Sequence, residues 1–244
     1  MPPPSEPPIL TTGAAFLAGL RAAWSSVFSY VLFGTYIGIG ALAHDFGFGL
    51  AWAMVSTVLV WAGPAQVILI SGLGAGAAHL EVAIAVSLSG VRLLPMVVAL
   101  LPLIKTPATR TWQLVLPAHF TAISMWVESL RLAPKVAREN RVAFCNGLGV
   151  GLMASAVTAT AVGFGLAARL PTLLTAGLLF LTPVSFLVST ARNARMLVDR
   201  LALALGLAVG PAFAFGQVEF DVLWTGVVAG TAAYGAHRLR EALR

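Results

Sequence analysis

Cysteine and charge are the two things this sequence has least of. A single cysteine, Cys145, stands among 244 residues, so the chain can form neither an internal disulfide nor a cluster of metal-bound thiolates. Charged residues make up 10% of the chain, against roughly a quarter in soluble domains, and 59% of the residues are hydrophobic. These polar side chains are too few to cover a soluble core. The composition therefore predicts an integral membrane protein.

Long apolar segments fill most of the chain. A helix needs about 20 apolar residues to cross a bilayer, and eight segments approach that length: 22–43, 48–71, 80–103, 114–131, 141–168, 172–190, 197–215 and 220–237. We predict an all-α, polytopic integral membrane protein with seven or eight transmembrane helices. The Pro-rich residues 1–12 are predicted to be a disordered tail, and residues 13–240 a single transmembrane domain. Its first residues, up to Ser26, suit an interfacial lead into the first span.

The basic residues lie between the apolar segments and predict orientation. The net charge of +6 therefore indicates topology and no nucleic-acid partner. With the N-terminus inside, the cytoplasmic stretches hold Arg21, Arg131, Lys135, Arg138, Arg141, Arg192, Arg195, Arg200, Arg238, Arg240 and Arg244. Lys105, Arg110 and Arg169 then fall outside. This bias predicts both termini in the cytoplasm. If the third segment dipped in and returned, Lys105 and Arg110 would lie inside and seven spans would remain.

Gly and Pro interrupt several of these segments, and the interruptions recur. Gly63-Pro64 in the second segment is echoed by Thr182-Pro183 in the sixth, and Gly90–Pro95 by Gly206–Pro211. Interrupted helices at matching places in two halves of a membrane protein indicate a central binding site. The echo is consistent with a two-half internal repeat, although Gly and Pro are common in membrane helices anyway.

Gln66 follows Gly63-Pro64 inside a strongly apolar stretch. Pro64 removes a backbone donor, and irregular backbone at membrane depth is tolerated only where it lines protein or a water-filled cavity. One interpretation is a binding site in which the broken backbone and Gln66 meet a polar ligand. The other is a packed proline kink with Gln66 bonded to a neighbouring helix. The sequence leaves both open.

Arg92 is the charge that is hardest to place in lipid. An arginine near the middle of a span costs at least roughly 2.5 kcal/mol to insert, so it must face protein, water or a ligand. Its planar fork fits a carboxylate. The alternative is a structural ion pair with Glu128, but Glu128 is predicted to pair with Arg131, three residues later on one helix face.

Ser87, Ser89 and His119 raise the question of hydrolysis. No GxSxG motif or nucleophile elbow accompanies them, so we predict no catalytic residues and no enzyme activity. The pattern also indicates no metal site and no cofactor.

Four elements together resemble a known family. Phe33-Gly34, Trp61-Ala-Gly-Pro-Ala-Gln66, Val91-Arg92 and Phe180-Leu-Thr-Pro-Val-Ser-Phe186 are similar in order and spacing to the AzlC-type branched-chain amino acid permeases. The resemblance runs from about Gly13 to Gly235, and its most specific element is Ala62-Gly63 with Gln66. The sequence departs from the family at Gly90, where Asn or Asp is usual, and at Ala122-Ile123, where an acidic pair is frequent.

The resemblance implies a bacterial inner-membrane transporter that exports small apolar, branched-chain amino acids. We predict substrate-binding roles for Gly63, Pro64, Gln66, Arg92, Thr182 and Pro183, with Arg92 holding the carboxylate and the Gly63-Pro64 break with Gln66 holding the amine. The resemblance also implies a partner, a small four-span AzlD-type membrane subunit. The alternatives are a channel-like or uniporter protein for another small solute, and a membrane subunit that does not itself transport.

Overall fold

The computed structural model describes residues 10–169, 197–216 and 221–242, with scattered positions between 170 and 196. The described residues contain helices and no strand. The chain divides into two compact units, Met1–Thr182 and Pro183–Arg244. The first unit contains nine α-helices among its described residues: α1 Thr12–Ser25, α2 Val27–Asp45, α3 Leu50–Leu59, α4 Gly63–Gly74, α5 His79–Val91, α6 Leu94–Ile104, α7 Val115–Phe120, α8 Ile123–Leu132 and α9 Arg141–Leu166.

Among the described residues, three helices are long and apolar enough to cross a bilayer. They are Val27–Asp45, Arg138–Leu166 and Leu197–Phe215, and the bent pair α5 and α6 makes a fourth if it counts as one span. The prediction of an all-helical membrane protein is confirmed. The eight segments predicted from hydropathy do not all become continuous helices.

Helices α1 and α2 lie end to end along α9 and run parallel to it. Gly19 of α1 packs against the backbone of Phe144, and Gly40 of α2 packs against the backbone of Thr160. A methyl group at either glycine would overlap a carbonyl oxygen of α9. Small residues allow membrane helices to approach this closely. The contacts advance in the same direction along both partners, so α2 and α9 point toward the same end of the unit.

Residues Thr12–Ser25 pack against protein over part of their surface, because Ala15, Gly19 and Ala23 of α1 are buried. Just before α1, the Asn140 side chain bonds both backbone groups of Leu10, each at 2.9 Å. The segment predicted as an interfacial lead therefore also packs against protein along one side, a contact that the sequence analysis did not predict. Hydropathy did not predict this packing, because the buried residues of α1 are glycine and alanine, whose side chains contribute little to an apolar helix face.

The second predicted span, 48–71, folds back on itself. Gly63, where α4 begins, faces Thr35 and Ile39 in the middle of α2, whereas Gly74, where α4 ends, lies against Phe46 at the end of α2. Helix α4 thus runs alongside α2 and returns to the end of the unit at which α3 begins. We call α3 and α4 the first hairpin. The expectation that this segment crosses the bilayer as one helix is corrected.

Helices α5 and α6 cross the unit in the opposite direction to α2. Gly72 near the end of α4 packs on Val82 in α5, and the chain then bends by 47° between Val91 and Leu94. The carbonyl of Leu103, near the end of α6, accepts a bond of 2.9 Å from Arg141 at the start of α9. The alternative in which this third segment dips in and returns is therefore not what the structure has.

The fourth predicted span, 114–131, also returns to the end at which it began. Arg141 bonds the Leu103 carbonyl before this stretch and the Val136 carbonyl after it, the latter at 3.1 Å. Between these two points the chain reaches a break at Thr121-Ala122 and comes back along α8. We call α7 and α8 the second hairpin. Lys105 and Arg110 consequently lie at the Arg141 end of the unit, not at the opposite end as predicted.

The second unit is described by two packed helices, α10 Leu197–Phe215 and α11 Asp221–Ala242. Helix α10 continues without a break through Gly206 and Pro211. It therefore does not repeat the bend at Arg92, and this part of the predicted internal repeat is not seen. Thr182 and Pro183, the other part of the echo, lie outside the described residues.

Candidate functional site: the meeting point of two hairpins

The breaks of the two hairpins meet inside the first unit. The indole nitrogen Nε1 of Trp61 donates to the carbonyl of Phe120 at 2.8 Å, and this bond is buried. In the opposite sense, His119 Nε2 donates to the carbonyl of Val58 at 2.9 Å. Each hairpin thus supplies a side-chain donor to a backbone carbonyl near the break in the other. We call the two breaks and these two bonds the tip contact.

The two breaks have the same local form. At each, a backbone N–H bonds the carbonyl two residues earlier: Ala62 to Val60, and Ala122 to Phe120. The next helix starts directly after an alanine in extended conformation whose side chain cannot cap it. Pro64 occupies the first turn of α4, where its missing N–H does no harm. The predicted break at Gly63-Pro64 is thus observed, centred one to three residues earlier.

Gln66 lies in the first turn of α4 and is completely buried. Its Nε2 donates to Thr57 Oγ1 at 2.8 Å and to Ser56 Oγ at 2.9 Å, both on α3. Thr57 in turn shares a 3.0 Å bond with Thr160 of α9. Gln66 Oε1 is buried without a hydrogen-bond partner among the described residues. One half of the amide therefore holds the first hairpin closed, and the other half is available to a ligand.

Aromatic and aliphatic side chains of α2 line the first hairpin. Tyr36, 1% exposed, stacks on Trp61 with ring centroids 6.1 Å apart. No described residue forms a hydrogen bond with the Tyr36 hydroxyl. Ile39 and Thr35 face Gly63 at ordinary contact distance, so a side chain could be accommodated there. The surroundings of the tip contact are mostly apolar, with a few polar groups.

Arg92 lies at the bend between α5 and α6 with an exposed side chain. Among the described residues it forms no ion pair and no hydrogen bond, and no contact joins it to Gln66. Because α5 runs back alongside α4, the bend lies at the same end of that helix pair as Gly63. Gly90 belongs to the last turn of α5, two residues before Arg92.

Glu128 is buried near the junction of α1 and α2. Its Oε1 accepts a 2.6 Å bond from Ser26 Oγ, and its Oε2 accepts bonds of 2.6 and 2.8 Å from the Arg131 guanidinium. The predicted Glu128–Arg131 pair is confirmed, and the alternative pair of Glu128 with Arg92 is wrong. Ser26 lies between two helices and caps α2, so this carboxylate ties α8 to that junction.

Sequence reasoning missed half of the tip contact. Thr121-Ala122 carries neither glycine nor proline, so the sequence predicted no break there. His119 was considered only for hydrolysis, together with Ser87 and Ser89. Trp61 stood next to the predicted break without an assigned role. Thr182 and Pro183, both predicted site residues, lie outside the described residues. Among the residues that the structure does describe, no group of three His, Cys, Asp or Glu could hold a metal ion.

In the first unit, two helical hairpins meet between helices long and apolar enough to cross a membrane, and the comparison with known families gives the class of protein. The sequence model of the AzlC protein family matches residues 14–170. The chain therefore belongs to the AzlC family, whose members are membrane transporters of the branched-chain amino acid permease type. The match covers both hairpins and α9. The comparisons with curated proteins and with solved structures give no match.

Proposed function

We propose that this protein exports small apolar amino acids, with branched-chain amino acids as the preferred substrates. The observation that carries the proposal is the buried, unpartnered Oε1 of Gln66 beside the tip contact. An unpaired acceptor at membrane depth is costly unless a ligand or water satisfies it. A substrate ammonium group supplies up to three donors for this oxygen.

The apolar part of the substrate would lie against α2. Buried Ile39 lies next to Gly63, and buried Tyr36 stacks on Trp61 two residues before it. Ligand pockets commonly combine such walls with a few polar groups that fix orientation. Pro64 contributes by fixing the start of α4, and thus the position of Gln66 one turn later.

Arg92 is proposed to attract the substrate carboxylate at long range. It is an unpaired positive charge at the bend of a crossing segment, at the same end of the α4–α5 pair as the tip contact. Placing this charge between apolar helices is expensive, which favours a functional reason for keeping it. A role that depends on charge alone does not require contact with the substrate.

The Arg141 end of the first unit is proposed to face the cytoplasm. Basic residues collect at this end: Arg21, Lys105, Arg110, Arg131, Lys135, Arg138 and Arg141. Near the opposite end lie Asp45, Glu81 and Arg169. Cytoplasmic loops carry an excess of Lys and Arg. Leu10, which bonds Asn140, then lies on the cytoplasmic side, the first hairpin enters from outside and the second from inside.

The family membership also supports a partner. We propose that the chain is the large subunit of a two-component permease in a bacterial inner membrane, together with a small four-span AzlD-type subunit. The partner is assigned by family resemblance alone. The transport experiment below therefore uses cells in which the chain is expressed with and without that subunit.

Export from dipeptide-fed cells tests the proposal. Cells given leucine-, valine- or methionine-containing dipeptides should accumulate less of the free amino acid when the protein is present. Non-transporting or channel-like behaviour would appear differently: no change in accumulation, or equilibration of many unrelated small solutes. Either result would reject amino acid export.

A further inference from the structure

At the tip contact, the breaks leave backbone carbonyls and backbone N–H groups without partners inside their own helices. Three of the carbonyls accept from side chains: Val58 from His119, Phe120 from Trp61, and Pro117 from the Thr121 hydroxyl at 2.7 Å. The N–H groups that begin the following helices have no partner among the described residues. These donors are Gly63 and Ala65 of α4, and Ile123, Ser124 and Met125 of α8.

Three of these donors belong to buried residues and two, those of Gly63 and Ile123, to half-buried ones, in helices of 12 and 10 residues. Ala65, Ser124 and Met125 are each at most 3% exposed. Buried backbone donors nearly always have a partner in folded proteins. Alanine precedes both helices, where Ser, Thr, Asp or Asn would cap these groups internally. The protein thus leaves the N-termini of two helices uncapped at one place.

The two helices point their positive ends at each other. Helix α4 runs from the tip contact toward one end of the unit, and α8 runs from it toward the Arg141 end. Each N-terminus carries about half a positive charge, so a region between two of them favours an anion. Gln66 Oε1, three residues into α4, is buried without a partner among the described residues, and the buried Tyr36 ring stacks on Trp61 at the first break.

We infer that the uncapped N-termini of α4 and α8 bind the carboxylate of the substrate. The site then takes α-amino acids with a free carboxylate and selects against their amides and esters. Backbone N–H groups of Ile123, Ser124 and Met125 donate to the carboxylate from one side, and those of Gly63 and Ala65 from the other. The inference rests on the proposed function and identifies the group that orients the substrate in it.

Ala122 gives a test in which loss of transport cannot be blamed on a weaker fold. Ala122→Asp places a carboxylate at the N-cap of α8, which should stabilise that helix while occupying its free donors and repelling the substrate. Ala122→Asn caps the same donors without charge. The measurement is the apparent KM for labelled leucine in membrane vesicles that hold the full chain and its small subunit. Leucinamide and 4-methylpentanoate serve as competitors.

In the unaltered protein, leucine should compete better than either analogue. For Ala122→Asp the apparent KM for leucine should rise by at least roughly tenfold, Ala122→Asn should show a smaller rise, and leucinamide should become the better competitor. An unchanged KM for Ala122→Asp would overturn the inference while leaving amino acid transport standing. If the unaltered protein does not transport leucine or any other apolar amino acid, the proposed function fails instead.

Discussion

Trp61 and Phe120 are 59 residues apart in sequence, and their 2.8 Å hydrogen bond joins the breaks of two hairpins that enter from opposite ends of the first unit. The indole N–H satisfies a carbonyl that the break has freed, and the indole ring stacks on Tyr36 of a crossing helix. One side chain thereby fixes both hairpins against α2. The depth and orientation of the proposed substrate site follow from this contact.

Replacing Trp61 should therefore weaken the tip contact measurably. Trp61→Phe keeps an aromatic ring against Tyr36 but removes the donor to the Phe120 carbonyl. Losing one buried hydrogen bond should lower the free energy of unfolding by about 1–3 kcal/mol. Trp112→Phe is the matched control, because Trp112 is 67% exposed and its indole bonds no described residue. Thermal unfolding of the two purified variants compares them directly, and equal stability would contradict the role of the indole N–H.

The glycine contacts that hold α2 against α9 should tolerate no side chain. In Gly40→Ala, the added methyl group would overlap the Thr160 carbonyl, a backbone atom that cannot move alone. Overpacking of this kind costs about 1–3 kcal/mol or more. Gly165→Ala on α9 is the control, because open space surrounds that position. The yield of folded protein and the unfolding temperature should fall for Gly40→Ala alone; tolerance of both changes would argue against the close approach.

Gln66 should affect stability and transport through different atoms of its amide. Thr57→Val removes the hydroxyl that accepts from Nε2 but leaves Oε1 in place. It should lower stability by about 1–2 kcal/mol with little change in leucine KM. Gln66→Ala loses both atoms, so stability and transport should both fall. Parallel melting and export assays separate the two effects, and normal export by Gln66→Ala would show that the residue only packs.

Arg92 should act by charge and not by shape. Arg92→Lys retains the positive charge and should keep the apparent KM for leucine within about twofold, whereas Arg92→Gln should raise it by roughly tenfold or less. Transport kinetics of the two variants in vesicles decide the matter. A loss with lysine as large as that with glutamine would indicate two-point binding by the guanidinium instead.

The sequence predicted the helical class, the family and the break near Pro64, because each has a compositional signal. It did not predict that segments 48–71 and 114–131 return to the end where they start. Hydropathy measures how apolar a segment is, and a hairpin buried among helices is as apolar as a span. The bonds that reveal the return run from the Arg141 guanidinium to the backbone carbonyls of Leu103 and Val136, and composition does not predict such partners. The break at Thr121-Ala122 lacks glycine and proline, so the sequence did not predict this break either.

The return of the hairpins predicts where surface positions can be labelled. In a Cys145→Ala background, cysteines at the exposed positions Ala108 and Arg138 should react with a membrane-impermeant maleimide from the same side, the cytoplasm. A cysteine at exposed Ala75, which follows the first hairpin, should react from the opposite side. A continuous fourth span would place Ala108 and Arg138 on different sides, and a continuous second span would place Ala75 on the cytoplasmic side. Right-side-out and inverted vesicles distinguish these arrangements.

Protection of Ser124 by substrate tests the central claim most directly, namely that the amino acid binds where the two hairpins meet. In a Cys145→Ala background, Ser124→Cys is alkylated by a small permeant reagent in vesicles, with and without leucine. Ala75→Cys provides the control for a position away from the tip contact. The account predicts that leucine slows alkylation at position 124 severalfold, that leucinamide does so far less, and that neither affects position 75. Equal alkylation of Ser124→Cys with and without saturating leucine, in vesicles that transport leucine, would contradict it.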